Sequence, residues 1–236
     1  MDLKIYDVRA LSADAAFLID DGKTSILYDT GFAFTGDKIA QNIKNILKDR
    51  PLDFIFLTHS HYDHALGTPY VLKHYPTSKV VASEYAEKIF KKPSARATMT
   101  ELDRKFAKTC GVSEYEDLSE RLHADVVVRD GDIINAGDME FLVIELVGHT
   151  KCSIGFYLKK EKLFLSSETL GVYLGANLYF PSCLVGYEST LNSFKKVESL
   201  DIEHILVPHF GLLSGKEVQR FFKNSKSINS KCNRAY

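Results

Sequence analysis

Long apolar runs are missing from this 236-residue sequence, and so is any excess of charge. No stretch approaches the roughly 20 apolar residues that a helix needs to cross a bilayer, so no membrane partner is expected. Lys and Arg number 30 against 31 Asp and Glu, a net charge of −1. That balance provides no basic field for nucleic acid or an anionic membrane surface. Lys195, Lys196, Lys216, Lys223, Lys226 and Lys231 crowd the last third, but spread over helical patterns they read as solvated faces. Cysteine is sparse. Cys110, Cys152, Cys183 and Cys232 stand far apart with no Cys-x-x-Cys pair. The first residues, Met1-Asp2-Leu3-Lys4-Ile5, run straight into a strand pattern and not an export leader, so a cytoplasmic protein with reduced thiols is expected. Repeats, low-complexity tracts and long linkers are also absent, and the length suits one domain over 1–236 with a substantial core.

What is present is a succession of strand and helix patterns. Leu3–Val8, Ala15–Ile19 and Thr24–Tyr28 are short β-prone runs, the last two joined by the turn sequence Asp20-Asp21-Gly22-Lys23. Ile39, Ile43, Ile46 and Leu47 recur at helical spacing within 37–47, and Pro51 ends that segment before a strand at Phe54–Leu57. A helix over 66–75 and a strand over 79–83 follow. Residues 84–123 are charged and predicted mostly helical, an insertion or lid over one face, with Pro93 as a break and Gly111 closing a helix. Strands are predicted at 125–128, 133–135, 139–147, 153–158, 163–167 and 204–207, and helices at 188–200 and 216–224. Strands in blocks with interspersed helices favour stacked α/β layers over a purely parallel sheet.

The stretch Thr58-His59-Ser60-His61-Tyr62-Asp63-His64 holds three of the eight histidines. It follows an apolar strand. Histidines two apart on extended chain point to the same side, so His59 and His61 can hold one ion together. Asp63 and His64 come where the chain turns into a helix and can serve a neighbouring position. Burying four such groups unpaired costs several kcal/mol, in the rough range of polar burial, so a metal is expected to satisfy them. Imidazole with carboxylate suits Zn²⁺ first, with Fe or Mn also compatible.

The pattern His59-x-His61-x-Asp63-His64 resembles the signature of the metallo-β-lactamase-fold superfamily, a four-layer αββα sandwich. Four further elements resemble the family's in its order, each at a predicted strand end. They are Asp29-Thr30-Gly31, Gly148-His149-Thr150, Leu163-Phe164-Leu165-Ser166-Ser167-Glu168 and Val207-Pro208-His209-Phe210-Gly211. The resemblance implies two divalent ions. His59, His61 and His149 would hold one, and Asp63, His64 and His209 the other, with Glu168 between them. Asp63 is carried over as catalytic too, and Asp29 and Ser166 as supports behind the ligands. The implied chemistry is hydrolysis by a shared water or hydroxide of lowered pKa, with the substrate oxygen polarised by one ion.

Two positions depart from the family pattern. Its bridging residue is usually Asp, and Glu168 leaves open a bridge on a shifted backbone, a single-oxygen contact, or a looser second metal. His209 follows Pro208 without the usual intervening Gly. The other histidines, His74, His123 and His204, read as structural, and Cys152 reads as a small buried residue. Tyr62, Tyr173 and Tyr179 are candidates for the pocket wall, with Leu178 and Phe180 read as core. The expected activity is cleavage of a small-molecule ester, thioester, lactone or phosphodiester. Two alternatives stand beside it: a flavodiiron-like diiron redox protein, against which the retained His61 argues, and a non-catalytic metal-containing binding protein. A small-molecule substrate is the expected partner, and an oligomer is compatible with everything above.

Overall fold

The computed structural model describes residues 3–230, so Lys231 and Cys232 lie outside the description. The chain divides into two compact units, Met1–Val127 and Val128–Tyr236. Each is organised round one six-stranded mixed sheet.

In the first unit the strand order is β1 (Lys4–Asp7), β2 (Phe17–Asp20), β3 (Ser25–Tyr28), β4 (Phe54–Phe56), β5 (Lys79–Ser83) and β6 (Val126–Val128). The first three form an antiparallel meander, whereas β3, β4 and β5 pair in parallel. Parallel neighbours need a crossover, since a hairpin cannot join them. Helix α1 (Gly36–Leu47) supplies one, and α2 (Tyr62–Ala65) with α3 (Thr68–His74) supplies the next. The predicted stripe of α1 is the buried one: Ile39, Ala40, Ile43 and Leu47 face inward. Strands β2 and β3 are buried at every residue, which is why they read as short apolar runs without alternation.

Helices α4 (Glu84–Phe90) and α5 (Pro93–Thr109) occupy the charged segment. Pro93 stands in the first turn of α5, where a missing N–H costs nothing, so it starts a helix. Gly111, at φ +80°, turns the chain out of α5. Residues 112–118 carry no helix, contrary to the mostly helical reading. Side chains hold them instead: Tyr70 donates its hydroxyl to the Glu116 carbonyl, and Lys73 Nζ lies 2.7 Å from the Glu116 carboxylate.

In the second unit β7 (Ile133–Ala136), β8 (Met139–Glu145), β9 (Ile154–Leu158) and β10 (Leu163–Leu165) come first along the chain. A two-stranded hairpin follows, β11 (Val172–Tyr173) with β12 (Tyr179–Phe180), then α6 (Tyr187–Glu198), β13 (His204–Val207), β14 (Gly211–Ser214) and α7 (Lys216–Asn229). The sheet order is β14-β13-β10-β9-β8-β7. Strand β10 is antiparallel to β9 and parallel to β13, and β9 is antiparallel to β8. Strands β8, β10 and β13 therefore point the same way, and their carboxyl ends share one edge of the sheet. Phe164, Phe194, Val197, Ile205 and Phe221 anchor the core of this unit. The hairpin β11–β12 and strand β14 have no counterpart in the predicted elements.

Among the described residues no helix is long and apolar enough to cross a membrane. Cys110 and Cys152 are free thiols, but Cys183 is disulfide-bonded, which corrects the expectation of reduced thiols at that residue.

Candidate metal centre

In parallel β pairs the carboxyl ends of neighbouring strands come out side by side, which is where open α/β sheets collect functional groups. In the first unit β3 and β4 are such a pair. Asp29 leaves β3, its N–H donating to the Phe56 carbonyl at 2.9 Å, and Thr58–His64 leaves β4. Asp29 is fully buried and adopts φ +54°, a conformation that costs a non-glycine residue free energy. Its carboxylate accepts three hydrogen bonds of 2.8 Å each, from the Thr58 N–H, the Thr58 hydroxyl and His64 Nδ1.

That network assigns protons. His64 donates from Nδ1 to a carboxylate, so its Nε2 carries the lone pair. The Thr58 hydroxyl spends its hydrogen on Asp29, so at 3.0 Å it accepts from His59 Nδ1, and His59 Nε2 carries a lone pair as well. One buried acid thus sets both imidazoles in the tautomer that ligates through Nε2. The rings of His59 and His61 are 4.6 Å apart between centroids, and those of His59 and His64 4.1 Å. His61 is the extended residue before α2, and its side chain makes no capping bond there. Asp63 Oδ2 lies 3.7 Å from His64 Nε2. His59 and His61 present ligand atoms within 4.8 Å of one another, as do Asp63 and His64.

In the second unit His149 follows β8, Glu168 follows β10 and His209 follows β13, the three strands whose carboxyl ends share an edge. Glu168 is buried, and its two oxygens divide between the two histidines. Oε2 is 2.8 Å from His149 Nε2, and Oε1 is 3.3 Å from His209 Nε2. His149 Nδ1 meets Ser182, the carbonyl at 3.3 Å and the hydroxyl at 2.5 Å. The carbonyl can only accept, so Nδ1 holds a proton and Nε2 is the nitrogen turned to the carboxylate. An imidazole nitrogen and carboxylate oxygens gathered this closely are the donor types that a divalent cation takes, so the set fits a metal. His209 adopts φ +63°, the second strained non-glycine conformation at a residue of the pattern.

The other candidates have plain positions. The Ser166 hydroxyl donates to the Ser167 carbonyl at 3.1 Å. Tyr62 lies against Phe32, with centroids 5.7 Å apart, and Phe32 stacks on Phe106 of α5 at 4.6 Å. Tyr173 and Tyr179 stack on each other at 4.6 Å and turn toward Phe210 and Phe221. Leu178 and Phe180, read as core from the sequence, are 49% and 44% exposed. His74 pairs with Asp37 at 3.0 Å, His123 with the Arg121 carbonyl at 2.8 Å and His204 with the Ser214 hydroxyl at 2.7 Å.

Ser182, Thr58 and Asp103 had no assigned role in the sequence. Thr58 was findable, because the register Tyr28↔Phe56 sets the ends of β3 and β4 level. Ser182 lies 33 residues from His149 in a segment with no pattern of its own. Asp103 on α5 is fully buried and accepts from the Ala33 N–H at 2.9 Å and from the Tyr115 hydroxyl. Burial, with some help from the charges of Asp63 and Asp14, pushes its carboxyl up to about 6.

Residues 13–209 match the family profile described as the metallo-beta-lactamase superfamily. A hydroxyacylglutathione hydrolase of Francisella tularensis subsp. novicida is 28% identical over 148 residues, 61% of this chain and 46% of that protein. This chain therefore spans about half the length of such relatives. The acyl-coenzyme A thioesterase MBLAC2 of Bos taurus is 24% identical over 225 residues, 88% of this chain and 77% of that protein. A metallo-β-lactamase superfamily protein from the archaeon Sulfolobus tokodaii superposes with a TM-score of 0.69 at 19% identity, over 94% of this chain and 84% of its own. A flavoprotein of Thermotoga maritima gives 0.65 at 17% identity, over 91% of this chain and 52% of its own. At such identities the likeness concerns the fold alone, and it bears out the expected α/β class and architecture.

Proposed function

The chain belongs to the metallo-β-lactamase superfamily, and from that membership we propose that it is a metal-dependent hydrolase of small-molecule ester-type bonds, thioesters foremost. Its ions, zinc before iron or manganese, would be held by the two sets that the family pattern implies: His59, His61 and His149 for one, Asp63, His64 and His209 for the other. When bound, such ions supply a water of lowered pKa and a polarised substrate oxygen. The chain's own residues do the rest. Asp29 and Ser182 keep the Nδ1 protons of His64 and His149 in place, and Asp63 takes up the proton released as water attacks.

The observation that carries this reading is the Glu168 carboxylate, with one oxygen at 2.8 Å from His149 and the other at 3.3 Å from His209. A carboxylate divided between a histidine of each set can do what the usual Asp does, so its extra methylene does not argue against a dinuclear centre. The thioester preference rests on the relative named as a thioesterase, whose alignment covers 88% of this chain.

The test joins elemental analysis of untagged protein to turnover of acyl thioesters, aryl esters, lactones and bis-aryl phosphates. Close to two equivalents of metal and thioester turnover abolished by His61→Ala are expected. Full turnover in His61→Ala with the site emptied by chelation would sink the proposal, as would redox-active iron without hydrolysis.

A further inference from the structure

We infer that the outward face of the β11–β12 hairpin, with the segment to Val185, is the surface on which this hydrolase receives the hydrocarbon chain of an acyl substrate. The inference rests on the hydrolase reading and adds the class of acyl group.

From Thr169 to Tyr187 the sequence contains no Asp, Glu, Lys or Arg. Within that stretch Val172 pairs with Phe180 and Tyr173 with Tyr179, so side chains alternate between two faces. Tyr173 and Tyr179 take the inner face, packed on Phe210 and Phe221. The outer face carries Leu174, Leu178 and Phe180, each 44–50% exposed, and beyond it Leu184 is 70% exposed. Single exposed apolar residues need no explanation, but a contiguous set without an intervening charge marks a binding surface.

The segment is also held firmly. Leu174 N–H donates to the Leu178 carbonyl at 3.1 Å, and Ser182 N–H to Asn229 Oδ1 at 3.0 Å. Gly175 lies so close to Phe210 that a Cβ there would meet the ring at 3.2 Å. Each anchor leads to a residue of the candidate centre. The Gly171 N–H donates to the Glu168 carbonyl at 2.8 Å, and the Val185 N–H to the carbonyl of Gly148, the residue before His149. Ser182 holds the His149 ring, and Phe210 follows His209.

This continuity decides the occupant. A group lying on the face is a short reach along the same chain from Glu168, His149 and His209, so it is part of the molecule whose bond is cleaved. A face without charge selects an uncharged hydrocarbon. Tyr173 and Tyr179, the pocket candidates from the sequence, support this surface from behind.

The experiment uses the full, metal-loaded chain and two readouts. Calorimetric titration with butyrate, hexanoate, octanoate and decanoate, all below micelle formation, measures binding without turnover. An acyl thioester series from acetyl to decanoyl measures kcat/KM. Full burial of a methylene gives roughly fourfold in affinity, and an open face about half of that energy, so about twofold tighter binding per methylene is expected. Leu178→Ser and Leu184→Ser, both at exposed positions, should flatten that slope with the circular-dichroism spectrum and thermal midpoint of the wild type retained. Affinity independent of chain length, or the wild-type slope in both variants, overturns the inference. So does loss of a dimer in sedimentation, or of phosphatidylcholine vesicle binding, with the carboxylate slope intact, since the face would then belong to a second copy or to a lipid surface. A chain-length slope that the variants flatten, without cleavage of any ester, keeps the surface and refutes the hydrolase reading.

Discussion

Replacing Asp29 with Asn changes one buried atom from acceptor to donor, and the surroundings determine the consequence. Asp29 is completely buried, and three donors converge on it at 2.8 Å: the Thr58 N–H, the Thr58 hydroxyl and His64 Nδ1. An Asn oxygen can still accept from the Thr58 N–H. Its NH₂ group must then face the Thr58 hydroxyl and His64 Nδ1, two groups that currently donate. The clash is relieved only if His64 moves its proton to Nε2, the nitrogen a metal needs, and the Thr58 hydroxyl turns round. Once that hydroxyl donates elsewhere, the tautomer of His59 is no longer fixed either.

Removing a group that orients a ligand typically lowers metal affinity about 10- to 100-fold, which is about 1.4–2.7 kcal/mol. Competition with a zinc-sensitive dye should show that loss, and nitrogen NMR of the histidine rings should show His64 changing from the Nδ1–H to the Nε2–H form. Asp37→Asn is the control, because Asp37 pairs with His74 at 3.0 Å on the exposed surface and should change neither. Unchanged affinity in Asp29→Asn with His64 still in the Nδ1–H form would falsify the account of how this half of the site is organised.

Two further predictions test the fold around the site. The Asp103 carboxyl is raised by burial to about 6 from 3.8, so the folded state favours its protonated form. The stability it confers is complete below the unfolded value and is lost as pH rises through about 6, up to about 3 kcal/mol at roughly 1.4 kcal/mol per unit. Asp103→Asn mimics the protonated acid, so in urea its advantage over wild type should be near zero at pH 4 and grow toward pH 8; a difference that ignores pH refutes this. Gly155→Ala places a Cβ 2.6 Å from Phe164 Cζ and 2.9 Å from the Leu165 carbonyl oxygen, which belongs to the neighbouring strand and cannot move alone. A loss of about 1–3 kcal/mol is expected from such overpacking, and an unchanged thermal midpoint would count against the close approach of β9 to β10.

The sequence revealed most where a side chain's chemistry is unusual for its surroundings. Four ionisable groups directly after Phe54–Phe56 could not be ordinary core, and the strands before Glu168 and His209 are short apolar runs, whereas β8, before His149, alternates and leaves Glu140 and Glu145 exposed. The helical stripe of α1 was legible for the same reason, since Ile39, Ile43 and Leu47 have only one face to occupy. The outer hairpin was not legible. Val172-Tyr173-Leu174 and Leu178-Tyr179-Phe180 are apolar on both faces, so alternation cannot say which face turns inward. Phe210 and Phe221 decide it by packing their rings at a tilt against the two tyrosines, and both arrive more than 30 residues later from other elements. The contact that places Ser182 against His149 depends in turn on Asn229 at the end of α7, which no local pattern connects to a histidine. A sequence can therefore disclose the ligands, whose chemistry is rare, more readily than the residues that aim them. Those are ordinary Ser, Thr and Asn side chains whose role exists only after the strands have brought their carboxyl ends to one edge.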